Sequence, residues 1–387
     1  MSRWTILGVL FGARITMAFQ FQSIAALAEP MADAYALTLA DIGLLIGIYV
    51  APGVVVAIPG AAIAAKYGEK RIVTIGMAMM LAGGILIAMA PEWPTLVAGR
   101  VLAGIGGVIL NVLMTKMLVD WFAGKEVATA LAIFVNSWPV GIALALVTLP
   151  MVAALGGLAL VWWVVAALVA TGLIAFVAIY RNPPAEPHDA PAFRSQRLPY
   201  YPLLMASLVW ALYNAALSMV FSFGPVVLID QGWGTEAAGG AISVFMVVFA
   251  LALPLGGWLS DRTGRRDLII AVSTLSFVPL MPLIPLSPAW AAIPILVVVG
   301  ALFALAAGPA MSLPALVLPP PIRTFGMGVY FAIYYVVMMA APRIAGDLAD
   351  RFGNAGVTMW LGSAFSVGTA ISLVLYRRSL AARGIPH

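Results

Sequence analysis

Long apolar segments recur along the whole chain, and each is too long and too poor in charge to be covered by water. Counted at about 20 apolar residues per crossing, twelve fit the sequence. They run over 4–28, 40–65, 71–90, 95–118, 127–152 and 158–180, then over 201–228, 237–260, 267–287, 290–317, 324–345 and 355–376. Lipid offers no partner to a backbone N–H or C=O, so each segment has to close its own hydrogen bonds as a helix. The predicted fold class is an all-α membrane protein with twelve transmembrane helices. Composition points the same way, since 63% of the 387 residues are hydrophobic and 9% charged, against roughly 25% charged in a soluble domain. There is no cysteine, which removes disulfides, thiol chemistry and thiolate metal sites.

Residues 181–199 read R-N-P-P-A-E-P-H-D-A-P-A-F-R-S-Q-R-L-P, the longest polar stretch and a proline-rich linker by composition. The expected organisation is a six-helix bundle over 1–181, a cytoplasmic linker over 182–199 and a second bundle over 200–387. The net charge of +5 lies in short loops, so the positive-inside rule accounts for it better than a nucleic-acid partner does. With the N-terminus inside, the cytoplasmic side takes Arg3, Lys66, Lys70, Arg71, Lys125, Arg181, Arg194, Arg197, Arg262, Arg265, Arg266, Arg323, Arg377, Arg378 and Arg383. The opposite side takes little beyond Arg351. A multi-pass protein of the cell inner membrane is expected, with both termini cytoplasmic. The first segment lacks an A-x-A cleavage site before a polar mature region and is expected to be a span, not a cleaved signal peptide.

Two loops carry a resemblance. Residues 257–266 read G-W-L-S-D-R-T-G-R-R, matching at every defined position the G-x-x-x-D-R-x-G-R-R loop of the major facilitator superfamily. Residues 61–71 keep Lys66, Gly68, Lys70 and Arg71 but place Ala65 where the aspartate belongs. Gly68 and Gly264 are 196 residues apart, the half-repeat of a twelve-helix transporter. G-R-V-L-A-G-I-G-G at 99–107 is similar to the superfamily's R-x-x-x-G-x-G pattern, and N-S-W-P-V-G at 136–141 weakly echoes a glycine-proline motif of drug antiporters. The resemblance implies two bundles rocking about a central site. Its gating residues would be Gly257, Asp261, Arg262, Gly264, Arg265 and Arg266, with Lys66 and Gly68 in the first half and Arg100 in span four. Gly257 is expected to permit close helix approach, and Asp261 to take the arginines or a helix N-terminus.

Arg14 stands in mid-segment, where an arginine costs roughly 3 kcal/mol on insertion scales. Two readings are open: a clamp for a substrate anion, or a pairing with backbone carbonyls or an acid on a neighbouring helix. A mid-span arginine in helix one resembles the cyanate-permease-like group of small-anion transporters. Spans two and eight lack the arginines of the nitrate/nitrite branch. Arg14, Ala18, Phe21 and Gln22 fall in one sector of about 80°, whereas Gln20 points toward a neighbouring helix. Span seven repeats span one, and Trp210, Tyr213, Asn214, Leu217 and Phe221 share a face there, as substrate contacts or as plain packing. On span four Arg100, Gly104, Gly107, Asn111 and Thr115 share a face, with Arg100 in expected reach of Glu29 or Asp33. Asn136, Ser137, Tyr330 and Tyr334 are further cavity candidates, and Lys116 with Asp120 and Arg343 with Asp347 are expected ion pairs.

All fifteen acids lie in loops or at span ends, and the two histidines, His188 and His387, lie in the linker and tail. No central group titrates near neutral pH, which removes the usual basis of a drug/proton antiporter. No phosphate-binding loop, nucleophile–base pair or metal cluster appears, so no enzyme activity, cofactor or metal is expected. The chain reads as a monomeric secondary transporter of a small anion, cyanate-like or a short carboxylate, working by anion exchange or proton-linked symport. Its alternative is an exporter of amphipathic drugs or metabolites, which nineteen methionines and many aromatics suit. A receptor or scaffold would leave the gating loop idle.

Overall fold

The structure is a computed structural model, and it describes residues 2–56, 67–89, 92–122, 126–182 and 198–382. Among these residues there are helices and no strands. Eleven helical runs are long and apolar enough to cross a membrane. One of them, Ala130–Ile179, is 50 residues long. Gly156 and Gly157 leave the helical region inside it, and Gly157, at φ 67° and ψ −175°, sits where only glycine is at ease. The run is therefore two spans, and the total is the twelve that hydropathy implies. Spans one to four are Arg3–Ala26, Leu39–Val56, Glu69–Met89 and Trp93–Trp121, and spans five and six are the two parts of Ala130–Ile179. Spans seven to twelve are Tyr200–Asp230, Thr235–Thr263, Arg266–Leu286, Ala289–Leu316, Phe325–Phe352 and Val357–Ala381.

Local chemistry sets the span ends. Thr38 and Asp41 form a reciprocal capping box at the start of span two, and Glu92 and Thr95 form one at span four. Span ten is interrupted after Ala304 and ends in a 3₁₀ turn, Leu313–Leu316. Pro309 has no N–H for the carbonyl of Leu305, which explains the interruption.

The chain divides into two compact units, Met1–His188 and Asp189–His387. In the first unit span one packs along spans five and six, and span three along span four. Its apolar core joins Leu10, Met17, Met77, Met80, Met114 and Met117, so these methionines are packing, filling irregular gaps as flexible thioethers do. In the second unit span seven lies between spans eleven and twelve, and span eight packs on span ten. Faces turned away from the units are apolar, with Ile174 67% and Leu251 74% exposed, the inverse of a soluble surface.

Lys116 pairs with Asp120 at 2.7 Å and with Glu69. The expected Arg343–Asp347 pair is not the one observed, because Asp347 takes Arg351 at 2.9 Å. Arg351 lies in the last turn of its helix, where a cation meets the negative end of the helix dipole. Gly157→Ala should destabilise the protein by about 1–3 kcal/mol, because alanine pays for a conformation glycine adopts freely. Thermal unfolding in detergent should show a clear fall in Tm, and no fall for Gly8→Ala, where a Cβ meets open space.

Candidate functional site

Arg14 lies halfway along span one and is half-buried. Its NH2 nitrogen donates to Asn111 Oδ1 at 3.0 Å and its NH1 nitrogen to the Phe134 carbonyl at 3.3 Å. The guanidinium carbon lies 4.7 Å from the Phe134 ring centre. This carbonyl lies beside the point where span five is interrupted, at Asn136. Pro139 lacks the N–H that the Val135 carbonyl would take, and the Ser137 hydroxyl also donates to Phe134 O, at 2.5 Å. These two acceptors are neutral, and they orient the guanidinium. Phe21 packs on Trp138 at 5.1 Å and edge-on to Tyr49 at 5.6 Å, while Gln22 is fully buried. Gln20 does face a neighbour, donating to Met80 O of span three at 2.9 Å.

Arg100 turns away from Glu29 and Asp33. It is 1% exposed and donates to the carbonyls of Gln20 at 2.8 Å, Phe21 at 3.0 Å and Leu45 at 3.0 Å. Each carbonyl has a second lone pair, so helical bonding and the arginine coexist. A Cβ on Gly104 would overlap the backbone of Tyr49, and the bare backbone brings that ring 4.4 Å from the guanidinium carbon. Arg100 thus staples span four to spans one and two, through carbonyls that an acid-centred expectation overlooks. At the 196-residue repeat Gly300 meets the backbone of Phe245 in the same way, but the arginine position is the buried Leu296.

In the second unit Trp210 stacks on Tyr213 at 5.8 Å and lies 6.4 Å from Tyr334. Tyr213 is buried, stacks on Phe303 at 4.4 Å and donates to the Phe303 carbonyl at 2.9 Å. Asn214 Nδ2 bonds back to Trp210 O at 2.8 Å. Phe221 and Tyr330 are also buried, so the span-seven stripe divides. Trp210 and Asn214 keep surface, as does Tyr334, whereas Tyr213, Leu217 and Phe221 are interior. Phe134, Trp138 and Tyr49 were missed by sequence reasoning, and the one available signal was Pro139 inside span five.

Gly264 ends span eight at φ 65°, its N–H on Ser260 O, which is the turn expected of it. Arg262 lies 5.2 Å from the Trp258 ring centre and Arg377 pairs with Asp267. Asp261, Arg262 and Arg265 are exposed and Arg266 half-buried, and no described arginine pairs with Asp261. Gly68 has φ 88°, and Lys66 lies outside the described residues. The close approach expected of Gly257 belongs to its neighbour. A Cβ on Gly256 would overlap the Leu305 carbonyl, whereas one on Gly257 meets nothing within 4 Å. One residue is a rotation of about 100°, enough to leave the interface. Gly256→Ala should cost about 1–3 kcal/mol through overpacking, and Gly257→Ala should be neutral or stabilising by up to about 1 kcal/mol. Unfolding curves of the two variants check this.

Several known proteins are similar to this chain. The Inner membrane transport protein YajR of Escherichia coli (strain K12) is 28% identical over 141 residues, 36% of this chain and 31% of that protein. The Probable nitrate/nitrite transporter NarK2 of Mycobacterium tuberculosis (strain ATCC 25618 / H37Rv) is 30% identical over 119 residues, 28% of each chain. The chain thus spans only about a third of the length of these two relatives. The 3-(3-hydroxy-phenyl)propionate transporter of Escherichia coli (strain K12) is 25% identical over 96% of this chain and 94% of its own. Among solved structures, an inward-facing, occupied bacterial homolog of the human lysosomal transporter Spinster superposes with a TM-score of 0.76 at 17% identity, covering 97% of this chain and 96% of that one. A likeness at that identity is one of fold. Residues 10–342 match the family model of the Major Facilitator Superfamily, and the chain belongs to that superfamily of membrane transporters.

Proposed function

We propose that this transporter carries a small anion, cyanate-like or a short carboxylate, and that Arg14 is its clamp. The observation that carries the reading is a guanidinium at mid-span, half-buried and oriented by Asn111 Oδ1 and the Phe134 carbonyl. No Asp or Glu of the chain lies at mid-span. A carboxylate matches a guanidinium fork in two parallel bonds, a geometry that Lys cannot reproduce. Two relatives support the class: one is named for nitrate and nitrite, the other, matched nearly end to end, for an aromatic propionate. The exporter alternative loses part of its methionine argument, since Met17, Met77, Met80, Met114 and Met117 are core.

The mechanism follows from the cost of the buried charge. Bound anion neutralises Arg14 and lowers the barrier to the occluded state of alternating access, whereas the empty carrier has to reorient without that anion beside the buried cation. Anion exchange, or symport of a proton riding on the substrate, is favoured over uniport. The loop with Asp261, Arg262, Gly264, Arg265 and Arg266 gates that step, and Arg100 keeps spans one, two and four together during it. The Lys/Arg distribution puts both termini in the cytoplasm, in an inner membrane.

Arg14→Ala should abolish saturable anion binding with folding retained, and Arg14→Lys should weaken it by at least about tenfold, the equivalent of ~1.4 kcal/mol. Asn111→Asp should also abolish binding, by giving the guanidinium a permanent carboxylate. Calorimetric titration with nitrate, cyanate and short carboxylates reads all three, and an alanine variant that transports at the wild-type rate sinks the proposal.

A second expectation concerns pH. With no Asp, Glu or His at mid-span, the pH dependence of exchange in vesicles should follow each substrate's own pKa. Compared across about pH 5 to about pH 8, two anions of different pKa should give two profiles, each set by its own pKa, and one shared midpoint near a histidine's would contradict this.

A further inference from the structure

Arg14 and Trp138 are the two part-open members of a short ladder of side chains in the first unit. On span five, Phe134 and Trp138 are four residues apart, one turn and about 6 Å of rise, so they share a side. On span one, Arg14 and Phe21 are seven residues apart, about two turns, and share a side as well. The guanidinium carbon lies 4.7 Å from the Phe134 ring centre, and Trp138 packs on Phe21 at 5.1 Å with the ring planes 37° apart. Phe134 and Phe21 are sealed, at 0% and 2% exposure, whereas Arg14 and Trp138 each keep part of their surface. A cation and, one turn along, an indole are thus what this part of the first unit leaves open.

The second unit repeats the pattern without the charge. At the 196-residue offset Trp210 corresponds to Arg14, Tyr330 to Phe134 and Tyr334 to Trp138. Tyr330 is sealed like Phe134, while Trp210 and Tyr334, 6.4 Å apart, keep part of their surface. A part-open aromatic at this position therefore occurs in both halves, and the cation in one. A ligand matched to that inventory has one negative charge and one flat apolar body.

We propose that the anion held by Arg14 is an aryl carboxylate and that Trp138 selects it, taking the ring while the guanidinium takes the carboxylate. This narrows the substrate class and rests on the clamp reading above. A nitrate or cyanate ion brings no apolar surface to set against the indole, so Trp138 adds nothing to its binding. In a 3-arylpropionate two methylenes separate carboxylate and ring. The carboxylate carbon then lies about 5 Å from the ring centre, at C–C lengths of ~1.5 Å, close to the one-turn step from Phe134 to Trp138. An aromatic ring also gains from offset or edge-on contact with an indole, which a saturated ring of the same bulk does not.

Calorimetric titration of the full-length protein in detergent with 3-phenylpropionate, 3-cyclohexylpropionate and propionate tests this. The three acids carry the same charge, so differences between them report the tail. The wild type should bind 3-phenylpropionate about tenfold more tightly than propionate and about fivefold more tightly than the cyclohexyl acid. Trp138→Leu should erase the preference for phenyl over cyclohexyl, and Trp138→Phe, which keeps a ring, should retain most of it. If Trp138→Leu fails to fold, the wild-type comparison of the two ring acids decides by itself. Equal binding of phenyl and cyclohexyl acids by the wild type overturns the proposal, as does an unchanged preference in Trp138→Leu. Either result leaves the clamp standing where Arg14→Ala loses all three acids. Retention of all three by Arg14→Ala removes the clamp, and this inference with it.

Discussion

A guanidinium inside a bilayer has no water to solvate it, so every N–H has to be met by the protein or by cargo. The first unit meets this demand twice with neutral oxygens. Arg100 takes three backbone carbonyls and the face of Tyr49, and Arg14 takes an asparagine and the carbonyl beside a helix interruption. Carbonyl dipoles disperse a positive charge without neutralising it. The difference between the two sites is access: Arg100 is sealed and structural, Arg14 keeps part of its surface. Helix backbones otherwise closed to side chains thus become the solvent of the buried cations.

That demand shapes the neighbouring packing. Gly104 brings span two near enough for Tyr49 to cover Arg100, and Pro139 interrupts span five near Arg14. The second unit keeps the close approach at Gly300 and drops the cation, replacing it by Leu296 and a stack that runs from Trp210 through Tyr213 to Phe303 and Phe277. The two units share a backbone plan and divide the chemistry, charge in one and aromatic surface in the other.

Much of the fold was legible beforehand, because lipid imposes one solution on an apolar segment. The twelve spans, the loop turn at Gly264 and the repeat spacing all follow from local rules of length, glycine and charge. Arg14 was legible as well, as a charge whose cost demanded a reason. Its bond to Asn111 joined two residues singled out separately, yet nothing in the spacing of positions 14 and 111 brings them together. The acid partners expected for Arg100, Glu29 or Asp33, were wrong because charge invites charge in a sequence reading, while the carbonyls that hold it are invisible there.

The sequence by itself determined that this chain crosses a membrane in twelve helices, where most of them begin and end to within a few residues, though span eleven runs on to Phe352 past its expected end at 345, and that it carries a cation at mid-span. Tertiary structure alone decided that Gly256 and not Gly257 makes the close contact, that Tyr213 turns inward and Trp210 does not, and that the Phe134 carbonyl of span five meets Arg14. Hydrophobicity and backbone hydrogen bonding act along the chain and are read from composition. Helix rotation and the acceptors around a buried charge depend on which surfaces meet, and a turn of one residue, about 100°, changes the answer.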